Sequence, residues 1–113
     1  MVAEERVWNA ISHVKRREIL DLLLTTGSLA VGDIAAGAQL TYPATSQHLA
    51  VLHRAGLVVP TAVGRKRCYR AELAPLAEVA SWLTVTVATW QGLTGRLAIY
   101  LDQRHPDPHQ EDE

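Results

Sequence analysis

The chain has 113 residues, 48% of them hydrophobic and 20% charged, with a formal net charge of −1. That leaves room for one domain with one core, and no apolar run approaches the roughly 18 residues that a membrane-spanning helix needs. A single cysteine, Cys68, excludes an internal disulfide framework, and the opening Met-Val-Ala-Glu-Glu-Arg lacks the basic-then-apolar plan of a secretory leader, so the expected compartment is the reducing cytoplasm.

Glu4 to Ile11 reads as a short helix with Val7, Trp8 and Ile11 on one side. His13 to Thr25 follows as an amphipathic helix whose apolar face is Ile19, Leu20, Leu23 and Leu24, with Ser12 as its expected cap and Gly27 as its stop. Lys15, Arg16 and Arg17 fall in the first two turns, at the positive end of the helix dipole. Cations there are unfavourable unless an anion stands close. A phosphate is one candidate; a solvated face paired with Glu18 and Asp21 is the other. Val31 to Ala38 reads as a third, short helix with Val31, Ile34, Ala35 and Ala38 inward, with Gly37 inside it and its end near Gln39.

The stretch Thr41 to Leu57 is the most informative. Thr41 suits an N-cap, Pro43 suits a first helical turn where no N–H is needed, and Gly56 suits a left-handed stop. Thr45, Leu49 and Leu52 repeat at helical spacing and predict a core-facing stripe. Opposite them run Pro43, Ser46, Gln47, Ala50 and Arg54. Gln47 has the donor–acceptor pair for an adenine edge, Arg54 suits a phosphate or guanine, and Ser46 suits a phosphate. An ordinary solvated helix face would also present Gln, Ser and Arg.

Leu57 to Ala62 and Lys66 to Ala71 read as two strands joined through Val63-Gly64-Arg65, and Pro60 marks the first as an exposed edge. Arg65, Lys66 and Arg67 make the hairpin tip basic. The small net charge conceals a polarity: residues 1–71 hold nine Lys/Arg against five Asp/Glu, a net of +4, and residues 72–113 hold two against seven, a net of −5. No acidic residue lies between Asp33 and Glu72. Phosphate binding needs local positive charge rather than a basic average. A reading helix followed by a basic hairpin is the outline of a winged helix-turn-helix that binds DNA.

Leu73 to Asp102 reads as the longest helix. Leu76, Leu83, Trp90 and Leu97 are spaced by seven, as are Ala80, Val87, Thr94 and Leu101, and again Val79, Thr86, Leu93 and Tyr100. Three adjacent rows give an apolar face wider than one side of a small core covers. Heptad spacing points to a partner helix, most simply the same helix of a second copy. The expected interface is Val7, Trp8, Val79, Trp82, Leu83, Thr86, Val87, Trp90, Leu93 and Leu97. The competing reading lays this helix across its own domain. Gly92 and Gly95 find no account in the pattern.

Other chemistry finds little support. His105 and His109 are four apart, but Pro106 and Pro108 forbid the helix that would aim them at one metal. His48, at the border of the core stripe, reads as a packed or capping residue rather than a base reader. His53 either touches phosphate or is solvated. Cys68 lies near Arg67 and Arg70, which favours a thiolate, yet a lone strand cysteine is more often plain packing. Ser46 and His48 point in different directions on a helix and make no nucleophile–base pair. No enzyme is expected.

Arg16-Arg-Glu-Ile-Leu20, Leu29-Ala-Val-Gly-Asp-Ile-Ala35, Ala44-Thr-Ser-Gln-His-Leu49, Leu52-His-Arg-Ala-Gly-Leu-Val58 and Gly64-Arg-Lys-Arg67 resemble, in order, the bacterial ArsR/SmtB repressors. The resemblance runs over about residues 5–101. It implies a dimer joined by the first and last helices, with Tyr42, Pro43, Ser46 and Gln47 facing the major groove and Arg65, Lys66 and Arg67 on the DNA backbone. Metal-sensing members carry paired cysteines where this chain has Ala30 and Gly32. Others use Asp, His and Glu on the final helix, which here has no histidine from Leu76 to Leu101. The resemblance therefore implies a metal-independent member.

The expected fold is mainly α with a small β-hairpin, a winged helix-turn-helix over residues 1–102 followed by a polar, disordered tail over 103–113. The expected function is a homodimeric transcriptional repressor that holds a near-palindromic double-stranded DNA operator through Thr41, Tyr42, Pro43, Ser46, Gln47, Arg54, Arg65, Lys66 and Arg67. No cofactor, metal effector or membrane partner is expected, and no motif names a small-molecule effector. The alternative is a winged helix that holds a partner protein and does not bind DNA. Such a module would have no need of the acid-free stretch.

Overall fold

The computed structural model describes residues 3–104. The expected polar tail, with His105 and His109, lies almost wholly outside the described residues. Helix α1 spans Ala3–Ile11 and α2 spans Val14–Thr26; strand β1, Ser28–Ala30, precedes α3, Val31–Ala38, and α4, Tyr42–Arg54. Strands β2, Val58–Val63, and β3, Lys66–Ala71, lead to α5, Ala74–Arg104. These residues form two units, one ending at Val79 and one beginning at Ala80.

In the first unit α1, α2, α3 and α4 and the sheet surround one core. Val7, Ala10, Ile19, Leu20, Leu23, Val31, Ile34, Leu49, Leu52, Leu57, Tyr69 and Val79 are all buried in it. Each large aliphatic side chain so buried stabilises the fold by about 1.5–3 kcal/mol relative to exposure. Leu24 is not among them; it is about half exposed. Leu24 lies a further 100° round α2 from Leu23, past the arc that Ile19, Leu20 and Leu23 fill. Val7 and Val79, expected at an interface between copies, are instead core residues of this chain.

The ends of the helices have identifiable stops. His13, not Ser12, caps α2: its Nδ1 accepts from the Lys15 backbone N–H at 3.1 Å. Ser12 closes α1 instead, its hydroxyl donating to Asn9 O at 2.7 Å. At the end of α3 the Leu40 N–H donates to Ala35 O at 2.9 Å and the Gln39 N–H to Ala36 O at 3.3 Å. That is the Schellman pattern, with Gln39 at φ 56° in the left-handed seat that glycine usually takes. The same pattern ends α4, where the Leu57 N–H donates to Leu52 O, the Gly56 N–H to His53 O, and Gly56 has φ 75°. Gly37 admits a close approach: a Cβ there would meet Leu22 Cδ2 of α2 at 2.6 Å.

The sheet is antiparallel with strand order β1-β3-β2. Pairing runs from Val58↔Ala71 to Val63↔Lys66 in the hairpin, and β1 adds Ser28↔Arg70 to Ala30↔Cys68 on the other side of β3. The sequence predicts the hairpin but not β1, whose three residues are too few to show a period of two. Pro60 lies in β2, an outer strand, as expected of a residue without an N–H. Cys68 is buried in the central strand.

The second unit is the continuation of α5. From Ala80 to Asp102 no residue is buried, and only Thr86 reaches partial cover. No described helix is long and apolar enough to cross a membrane.

Candidate nucleic-acid interface

Helix α4 presents two faces, as its sequence predicts. Thr45, Leu49 and Leu52 are buried, and the Thr45 hydroxyl is satisfied by donating to Thr41 O at 2.8 Å. Tyr42, Pro43, Ser46, Gln47, Ala50 and Arg54 are exposed. Thr41 holds the start of the helix in place, its Oγ1 accepting from the Ala44 N–H at 3.2 Å. The exposed residues of this first turn and the polar stripe behind them carry no carboxylate.

The wing is built by Gly64, whose φ of 63° allows a two-residue turn between Val63 and Lys66. Arg65, Lys66 and Arg67 are all exposed. Arg67 differs from its neighbours: its guanidinium carbon stands 5.6 Å from the centroid of the Tyr69 ring, a distance suited to a cation–π contact. Arg67 and Tyr69 line a depression of about 250 Å³ with Val31, Tyr42, Ser46, Leu49, Ala50 and His53. The expected site residues Tyr42, Ser46 and Arg67 are thereby brought together, and His53 joins them. Arg54 lines a different depression, with Arg6 and Asn9 of α1.

The basic start of α2 has a structural role. Arg16 donates to Ala10 O at 2.9 Å and Asn9 O at 3.1 Å, and Arg17 donates to Ile11 O at 2.7 Å. Lys15 donates to Ala38 O at 2.9 Å and pairs with Glu18 at 3.0 Å. The anion called for by this charge pattern is largely the carbonyl end of α1 and of α3. Those ends carry the negative pole of the helix dipole.

His48 is half-buried, and its ring centroid lies 4.7 Å from that of His13. Burial, then the neighbouring His13 and Arg16, hold its pKa below the ordinary imidazole value. It ties α4 to the cap of α2.

Of the residues expected at an interface between copies, Trp8, Trp82, Leu83, Val87, Trp90, Leu93 and Leu97 are exposed, with Trp90 at 67%. Among the described residues no group of three or more His, Cys, Asp or Glu converges as a metal site.

Residues 13–59, from the cap of α2 to the start of the wing, match the model of the bacterial regulatory protein family arsR. The HTH-type transcriptional regulator Rv2034 of Mycobacterium tuberculosis is 40% identical over 73 residues, 65% of this chain and 67% of that one. The transcriptional repressor SdpR of Bacillus subtilis is 34% identical over 77 residues, 68% of this chain and 84% of that one. The chain belongs to the ArsR family. Its fold agrees with that of an ArsR-like transcriptional regulator from Rhodococcus sp. RHA1, with a TM-score of 0.83 at 28% identity over 89% of this chain and 92% of that one. It also matches the homodimeric winged helix-turn-helix DNA-binding domain Mb0332 of Mycobacterium bovis, a possible ArsR-family regulator, with a TM-score of 0.62 at 26% identity over 93% and 87% of the two chains. This ArsR-family chain is thus a winged helix-turn-helix, DNA-binding transcriptional regulator and not an enzyme.

Proposed function

We propose that this regulator is a homodimeric repressor that acts in the cytoplasm at a near-palindromic operator and needs no metal effector. The observation that carries the reading is the exposed, acid-free surface shared by α4 and the β2–β3 wing. Gln47 on α4 reads a base edge, Ser46 beside it anchors to a phosphate, Tyr42 and Pro43 pack into the groove, and Thr41 fixes the helix start. Arg65, Lys66 and Arg67 follow the phosphates, and Arg54 takes a further phosphate from the far end of α4. Two copies set two such helices in successive major grooves, with half-sites about 10 base pairs apart. Repression is favoured by the likeness to SdpR, and a dimer by the likeness to Mb0332, a homodimer by description. Ala30 and Gly32 offer no metal-binding side chain, nor does any histidine on α5 between Leu76 and Leu101.

Fluorescence anisotropy against fragments upstream of the gene tests this. Gln47→Ala combined with Arg65→Ala is expected to lower operator affinity on the order of 10- to 100-fold, since one bidentate base contact is worth about 1–3 kcal/mol and one phosphate contact adds to it. The affinity falls with salt, less steeply in the double variant, and is the same with EDTA or added zinc. An unchanged affinity in the double variant would sink the assignment of these residues.

A further inference from the structure

We propose that the depression between α1 and the C-terminal half of α4 binds a small organic anion, a carboxylate or phosphate monoester carried on an apolar body. Arg6 and Asn9 of α1 and Val51, Arg54 and Ala55 of α4 enclose about 260 Å³. Apart from Arg65 and Lys66 at the tip of the wing, the other cations of this unit are engaged: Lys15, Arg16 and Arg17 hold carbonyls, Arg70 pairs with Glu72 at 3.5 Å, and Arg67 lies over Tyr69. Arg6 and Arg54 are exposed and have no hydrogen-bond or ion-pair partner among the described residues. No carboxylate lines the depression. Two helices thus bring two unneutralised guanidiniums to one concavity, an arrangement that an anion between them relieves.

The lining sets the ligand class. Guanidinium forks match the paired oxygens of a carboxylate or phosphate, and the Asn9 amide adds donors. Val51 and Ala55 supply an apolar wall, which a bare inorganic ion leaves uncovered. The volume lies at the lower edge of small-molecule sites, so the body is a single ring or a short branched chain. The consequence for DNA rests on the proposed role of α4. Arg54 is two turns beyond Gln47, and an anion that recruits Arg54 takes its charge from the operator. Anion and operator then weaken each other reciprocally.

Calorimetric titration of the DNA-free full chain with benzoate, phenyl phosphate, inorganic phosphate and neutral benzamide tests the site itself. Benzoate or phenyl phosphate is expected to bind at least tenfold tighter than both inorganic phosphate and benzamide, and the tighter of the two distinguishes a carboxylate from a phosphate ester. Arg6→Ala and Asn9→Asp, both at exposed positions, each weaken that binding at least tenfold without moving the thermal melt. No saturable binding of either organic anion, equal binding of inorganic phosphate, or an unaffected Arg6→Ala variant overturns the proposal. Operator titrations keep it separate from the DNA reading. Arg6→Ala is expected to leave operator affinity unchanged. A several-fold loss with a shallower salt dependence assigns the depression to an operator phosphate, overturning the anion site while the DNA reading stands. Anion binding in a chain without operator affinity upholds the site and removes that reading.

Discussion

His48 and His13 meet with no carboxylate bonded to either ring among the described residues, while Lys15, Arg16 and Arg17 follow His13 along α2. The folded chain therefore disfavours the imidazolium form of His48, whereas the unfolded chain takes up a proton at the ordinary value of about 6.5. Below that pH the unfolded state binds more protons, so stability rises with pH there. The contribution of His48 is whole above the ordinary value and is lost as pH falls through it toward the lowered folded value. Urea midpoints measured from pH 7.5 down to 5.5 are expected to fall, and His48→Gln is expected to flatten part of that fall. An equal slope in both proteins would place the titration elsewhere. The sequence shows His48 as a packed residue because it borders the Thr45–Leu49–Leu52 stripe. It conceals His13 as the partner, because the pairing joins distant positions on two helices and follows no period. The left-handed Gln39 is hidden for a related reason: a tolerated residue type carries no signal of its own there.

Helix contacts were legible in outline and not in closeness. The spacing of Val31, Ile34, Ala35 and Ala38 gives the inner face of α3, but only the structure shows α2 lying so near that a Cβ at Gly37 meets Leu22. Gly37→Val is expected to destabilise the fold by about 1 kcal/mol or less, because what it meets is the far end of the half-exposed Leu22 side chain, which can turn aside. Leu22→Ala in the same background recovers part of this, because the two changes act on one contact. Urea denaturation of the two single variants and the double variant measures both. Additive losses would mean that Gly37 is needed for another reason. The basic triplet of α2 shows where sequence reasoning loses its partner. Local charge leaves a phosphate and a face paired with Glu18 and Asp21 both open; Lys15 does pair with Glu18, but the remaining partners are backbone carbonyls, which are present at every position of a sequence.

At the scale of the molecule, the heptad rows of α5 were readable from Leu76 to Leu101 because a period of seven survives without tertiary knowledge. Assigning Val7 and Val79 to the same surface was a mistake of depth: an apolar residue facing inward and one facing a partner look alike in a sequence. Trp90 and Leu97, both exposed, carry the proposed association. Trp90→Glu with Leu97→Glu is expected to leave a monomer by light scattering and to lower operator affinity at least tenfold, since two linked half-sites reinforce each other. A double variant that stays dimeric would place the interface elsewhere. Pro60 bears on the same question from the opposite end of the sequence pattern. Strand β2 is outermost in the sheet, and at Pro60 it has no N–H to offer a newcomer. A strand from another molecule cannot extend that edge without a gap in its bonding. Wings brought close together along DNA therefore find no continuous edge to share at β2, and the proposed helix-to-helix contact, being two-fold, uses itself up and stops growth at a pair.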